Sequence, residues 1–131
     1  MNLLIHPIAV HYPIAFYFLE LILLLVWVKK KDPKYLQFAL FAFKAAFIGM
    51  IIAIAAGLYD VGGFQNIQGR VKTHFVAAMS VLLVQTLRAF FWRFGKVEQN
   101  HYRVTQILFS AAGFILVTIT AYFGGLLVYE S

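Results

Sequence analysis

Few residues in this chain could do chemistry. It has no cysteine, five Asp and Glu together, and four His in 131 residues. Neutral imidazole is tolerated in apolar surroundings and is a good ligand for haem iron. His6 and His11 lie in the run His6-Pro7-Ile8-Ala9-Val10-His11-Tyr12-Pro13-Ile14, and His74 closes the run Gly69-Arg70-Val71-Lys72-Thr73-His74. Arg70 and Lys72 are cations of the kind that would neutralise propionates beside a histidine-ligated haem. Asp60, in Gly57-Leu58-Tyr59-Asp60-Val61-Gly62-Gly63, and Tyr129, in Tyr122-Phe123-Gly124-Gly125-Leu126-Leu127-Val128-Tyr129-Glu130, could orient such imidazoles by hydrogen bonds. Glu20 and Lys44 stand apart from these clusters, deep inside apolar runs. The lack of cysteine excludes a disulfide scaffold, a cysteine-ligated zinc or iron–sulfur site and c-type haem attachment. No nucleophile–base pair, phosphate loop or metalloprotease motif stands out, so a non-catalytic role is the expectation.

The elements that must position these residues are membrane spans. The chain is 63% hydrophobic and 12% charged, with a mean hydropathy of +0.83. A soluble domain of this size needs more polar surface than that. Disorder is excluded on the same ground. Continuous apolar runs, without alternation, exclude a β-barrel. Four segments reach the ~20 apolar residues of a spanning helix, roughly 11–28, 36–59, 75–92 and 104–128. Short links make neighbours antiparallel, so the expected fold is an all-α integral membrane protein, one four-transmembrane-helix bundle over residues 1–131.

Lys29, Lys30, Lys31 and Lys34 cluster on the first link, and Arg88, Arg93, Lys96 and Arg103 around the third. The second link holds only Arg70 and Lys72, and the termini hold no Lys or Arg. The bias of Lys and Arg toward cytoplasmic loops then predicts a multi-pass protein of the cell membrane with both termini and the second link extracytoplasmic. The basic balance, +6 with a pI near 9.7, reads as topology and not as a nucleic-acid footprint. Positive charge follows the first apolar run, so that span is not expected to be a cleavable signal peptide. On this topology His6, His11, Asp60, Arg70, Lys72, His74, Tyr129 and Glu130 share one face.

A shift of roughly sixty residues gives a weak self-match: His11-Tyr12 on His74-Phe75, Lys30 on Arg93, Tyr59 on Tyr122, Gly62 on Gly125. Duplication would make the halves two parallel helical-hairpin repeats, with His11 and His74 at matching depths. The first helix could begin at Pro7 with a kink at Pro13 that frees the Ala9 carbonyl, or begin at Pro13. Thr73 is a candidate N-cap with His74 in the first turn. Gly49, Gly57 and Gly113 permit close approach of another helix or of a flat macrocycle. Glu20 and Lys44 each lie about 13–14 Å from their own edge of a roughly 30 Å core. An intramembrane Glu20–Lys44 pair explains both charges economically, and a proton path is the sharper alternative. Arg88 is near enough to the cytoplasmic edge to snorkel, and His101 is expected to be exposed in the third link.

These clusters resemble a family of small four-helix bacterial and archaeal membrane proteins known mainly as a domain of unknown function. Its signature His-Pro-x-x-Val-His-Phe-Pro-Ile is matched by His6 to Ile14, with Tyr12 in place of Phe. Its Gly-x-x-Asp, third-span His and closing Gly-Gly-x-Leu-Val-Tyr are matched by Gly57 to Asp60, His74 and Gly124 to Tyr129. Read to Ser131, the sequence is not expected to carry the glycine-rich tail common in relatives. Some relatives are fused to, or accompanied by, Rieske iron–sulfur or cytochrome c domains. The resemblance implies a redox setting at the extracytoplasmic face and carries over His6, His11, Asp60, His74 and Tyr129.

Taken together, the leading expectation is a b-type haem (haem b) subunit that passes electrons between an outer redox protein and membrane quinone or a partner subunit. His11 and His74 would be the iron ligands, His6 a substitute or supporting donor, and Arg70 and Lys72 the propionate partners. The alternative is a cofactor-free subunit that anchors or stabilises a respiratory or photosynthetic complex. A metal or quinone site at His6, His11, Asp60 and His74 is a third reading. A transporter has least support, since four helices leave little room for alternating access.

Overall fold

A computed structural model of the chain describes residues 9–63, 65, 67–94 and 100–129, with side chains at 9–63, 65, 67–92 and 104–124. Those residues form four helices: α1 (His11–Lys30), α2 (Pro33–Val61), α3 (Gly69–Phe94) and α4 (Asn100–Tyr129). All four contain a stretch long and apolar enough to cross a membrane.

Local chemistry sets the helix ends. As described, α1 begins at His11, so Pro13 lies in the first turn, where its missing N–H has little to lose. At the other end Lys31 takes a left-handed conformation (φ 58°) and its N–H closes on the Trp27 carbonyl at 2.7 Å. Asp32 then caps α2, its carboxylate accepting from the Lys34 N–H at 3.1 Å, with Pro33 opening the helix. The turn thus reverses the chain sharply, and α1 and α2 form a tight antiparallel pair. α2 ends at Gly62, whose φ of 87° needs a glycine. The Gly62 and Gly63 N–H groups return to the Tyr59 and Leu58 carbonyls at 3.1 and 2.9 Å. α3 starts at Gly69, upstream of the expected Thr73 cap, because the Gln68 carbonyl already accepts from the Lys72 N–H at 3.4 Å. Thr73 is therefore inside the helix and His74 in its second turn.

Around the bundle the neighbours run α1, α2, α3, α4 and back to α1; α1–α2 is the closest pair and α2–α3 the loosest. Ala39, Ala42, Ala46 and Ala53 lie on the buried stripe of α2, where small side chains let helices approach closely. Gly49 belongs to the same close approach, since a Cβ there would stand 3.4 Å from Pro13 Cδ. Tyr17, Phe43, Met50, Val81 and Val117 fill the middle of the bundle, and Leu24 and Trp27 fill the end near the lysine-rich link. Large apolar side chains such as Phe41 (70% exposed) and Leu108 (64%) point outward, as a lipid-facing surface requires. The histidines of the weak self-match do not share an environment: His11 is exposed, His74 half-buried.

Candidate functional site: a buried ion pair and a histidine-bearing end

Polar residues meet at the centre of the bundle. Glu20 on α1 and Arg88 on α3 are 0% and 1% exposed and form a two-pronged ion pair. Arg88 Nη1 donates to Glu20 Oε1 at 3.0 Å, and Nη2 donates to Glu20 Oε2. Nη1 also reaches Gln85 Oε1 at 2.9 Å, and Ser110 of α4 donates to Glu20 Oε1 at 3.3 Å. The guanidinium carbon lies 4.7 Å from the centre of the Phe43 ring of α2. All four helices thus contribute to one centre. Removing two charges from water is costly, and bidentate geometry with further donors offsets that cost. Gln106 is also buried here. Gly113 makes room, because a Cβ on it would collide with Gln85 Nε2.

This arrangement corrects two expectations. Glu20 pairs with Arg88 and not with Lys44; Arg88 does not snorkel to the membrane edge. The expectation compared depth along the helices only, and rotation about the helix did not enter that argument. Phe43 and Ala46 define the inward face of α2, and Lys44, one residue beyond Phe43, is exposed. The missed partners carried a sequence signal. Val81, Gln85 and Arg88 recur at four- and three-residue spacing on α3, as do Gln106, Ser110, Gly113, Val117 and Thr120 on α4. Both are buried stripes with polar members on otherwise apolar helices.

At the opposite end from the lysine-rich link, His74 Nδ1 lies 3.0 Å from the Thr120 carbonyl oxygen of α4. A carbonyl can only accept, so this nitrogen carries the proton and the lone pair sits on Nε2, the tautomer suited to ligation. The ring rests against Gly124, where a Cβ would come within 2.9 Å of Cε1. His74, Val10, Pro13, Met50, Ala53 and Thr120 line a cavity of about 40 Å³. His11 lies outside that wall and is exposed, as are Arg70 and Lys72, whereas Asp60 is buried in the last turn of α2. His6 and Glu130, and the side chains of His101 and Tyr129, lie outside the described residues. Among the described residues no three His, Asp or Glu gather as a metal site.

A haem gripped between His11 and His74 does not fit this cavity, which is far below the ~300 Å³ and more of an organic-ligand pocket. His74, with Nδ1 bonded to a carbonyl, has the orientation of an iron ligand.

The fold and the buried charges define a multi-pass membrane protein with an ion-paired four-helix interior. Over residues 3–131 the chain matches the family described as predicted membrane protein (DUF2231), and it belongs to that family. No curated protein and no solved structure matches it.

Proposed function

We propose that the chain is a subunit without haem or an iron–sulfur cluster of its own that anchors or stabilises a larger redox complex in the cell membrane. The observation that carries this reading is the Glu20–Arg88 centre, which joins all four helices and fills the middle of the bundle with its own side chains. An interior used in that way suits a rigid scaffold. The redox setting rests on the resemblance to relatives accompanied by Rieske or cytochrome c domains. The Lys and Arg bias supports extracytoplasmic termini, so an outer redox protein would meet the end that holds His11, Asp60, Arg70, Lys72 and His74. Chemical cross-linking in native membranes, followed by purification of this chain, tests the reading. It predicts that haem or iron–sulfur subunits co-purify while the isolated chain shows no haem absorption. A chain recovered without such partners ends it.

His74 supports a second reading, the b-type haem electron-transfer subunit. Its Nδ1 bond to the Thr120 carbonyl is the contact that commonly orients a ligating imidazole. On this reading haem b would need far more room at this end than the cavity of about 40 Å³ gives. His11 or His6 would supply the second ligand, and Arg70 and Lys72 the propionate contacts. A haemochrome band from the isolated chain that is lost in His74→Ala selects this reading over the first.

A further inference from the structure

Between α2 and α3, the loosest pair, opens a groove of about 470 Å³ lined by Leu40, Phe43, Lys44, Phe47, Ala89 and Trp92. Its volume falls within the roughly 300–1,000 Å³ of small-molecule sites. Lys44 makes no hydrogen bond or ion pair with any described residue. Trp92 Nε1 is buried without a hydrogen-bond partner among the described residues. Both polar groups are donors, and among the described residues no lining side chain accepts. Phe43 lies 6.2 Å from Phe47 and 6.4 Å from Trp92, centre to centre, giving the groove an aromatic wall.

We propose that this groove binds a membrane quinone. One carbonyl oxygen accepts from Lys44 Nζ, the flat ring packs on the Phe43, Phe47 and Trp92 wall, and the prenyl tail runs out into lipid. The occupant must bring acceptors, because the described lining side chains offer none, and an apolar body, because most of that lining is apolar. A second copy of the chain offers no free carboxylate from α1, because Arg88 already holds Glu20. A phospholipid phosphate or fatty-acid carboxylate stays at headgroup level. Lys44 stands nine residues into its span from Tyr35, about 13–14 Å along the axis. A neutral quinone head can lie at that depth. The site is separate from the anchoring role above, and co-purification and quinone binding fail independently.

The test is titration of the purified full chain in lipid nanodiscs with decyl-ubiquinone and a short-chain menaquinone, read by tryptophan quenching. Saturable quenching by one of them is expected. Lys44→Met should weaken it about tenfold or more, and Lys44→Arg should retain it. Since Lys44 is exposed, both variants should unfold at the wild-type temperature. An azido-quinone should cross-link to peptides containing residues 44–48 or 89–92. Oleate, an anionic amphiphile without a quinone ring, should not displace the ligand. Absence of saturable quenching, wild-type affinity in Lys44→Met, displacement by oleate, or cross-links confined to the histidine-bearing end would each overturn the proposal.

Discussion

At the scale of single residues, the largest energetic consequence belongs to the Glu20–Arg88 pair. Breaking a buried pair leaves a lone charge with nowhere to go, which costs about 3–5 kcal/mol, whereas replacing both members with apolar side chains is often near neutral. Arg88→Met should therefore lower stability by about 3–5 kcal/mol, and Glu20→Leu with Arg88→Met together by much less. Denaturant unfolding in mixed micelles measures both; additive losses would show that the two side chains do not depend on each other. Glu20 was legible in the sequence as an intramembrane charge in need of a partner. The identity of that partner was not, because two residues at equal depth meet only if their helices are rotated to face each other. Arg88 satisfies that condition through its place on the Val81–Gln85–Arg88 stripe, and Lys44 does not. His74 was legible as a chemically competent residue in the same partial sense. Its bond to the Thr120 carbonyl depends on α4 packing against α3, which no local pattern states.

At the scale of elements, close approach decides which helices can share polar groups. Gly113 on α4 leaves room for the Gln85 side chain of α3, which in turn accepts from Arg88. Gly113→Ala should overpack this contact and lower stability by about 1–3 kcal/mol. Adding Gln85→Ala removes the obstructing amide, so the double variant should lose less than the two single losses combined. The same unfolding measurement gives the coupling, and strict additivity would mean that the contact is absent. Gly124 makes a parallel case at the histidine end. Gly124→Ala should push the imidazole off its seat, and NMR of ring-labelled His74 should show loss of the Nδ1–H bond to Thr120 while His74-independent signals stay in place. An unchanged Nδ1 resonance would show that the ring does not rest on Gly124. The number of helices and their approximate spans could be read from apolar length, whereas α2 starts at Asp32-Pro33, ahead of the expected span. The start of α3 could not: Thr73 has the side chain of a cap, but backbone bonding from Gln68 begins the helix before it.

At the scale of the whole molecule, the chain is apolar outside and ion-paired inside, the distribution expected where lipid replaces water as the solvent. The functional readings at the two ends then depend on which end faces which compartment. Lys29, Lys30, Lys31 and Lys34 surround the α1–α2 turn, whereas the α2–α3 end carries only Arg70 and Lys72, in the first turn of α3. Holding the first group on the cytoplasmic side satisfies the bias that governs insertion of short loops, and it sends the His74 end outward. The chain has no cysteine, so a single introduced thiol reports its own location without background. Gln65 and Lys30 are both exposed and lie at opposite ends of α2, so neither variant should disturb the core. In intact cells, a membrane-impermeant maleimide should label Gln65→Cys at once and label Lys30→Cys only after permeabilisation. The reverse pattern would turn the molecule over: the histidine-bearing end would face the cytoplasm, out of reach of an extracytoplasmic redox partner. The quinone groove would stay in the bilayer but open nearer the outer leaflet, because Lys44 lies closer along α2 to the lysine-rich turn than to Gly62.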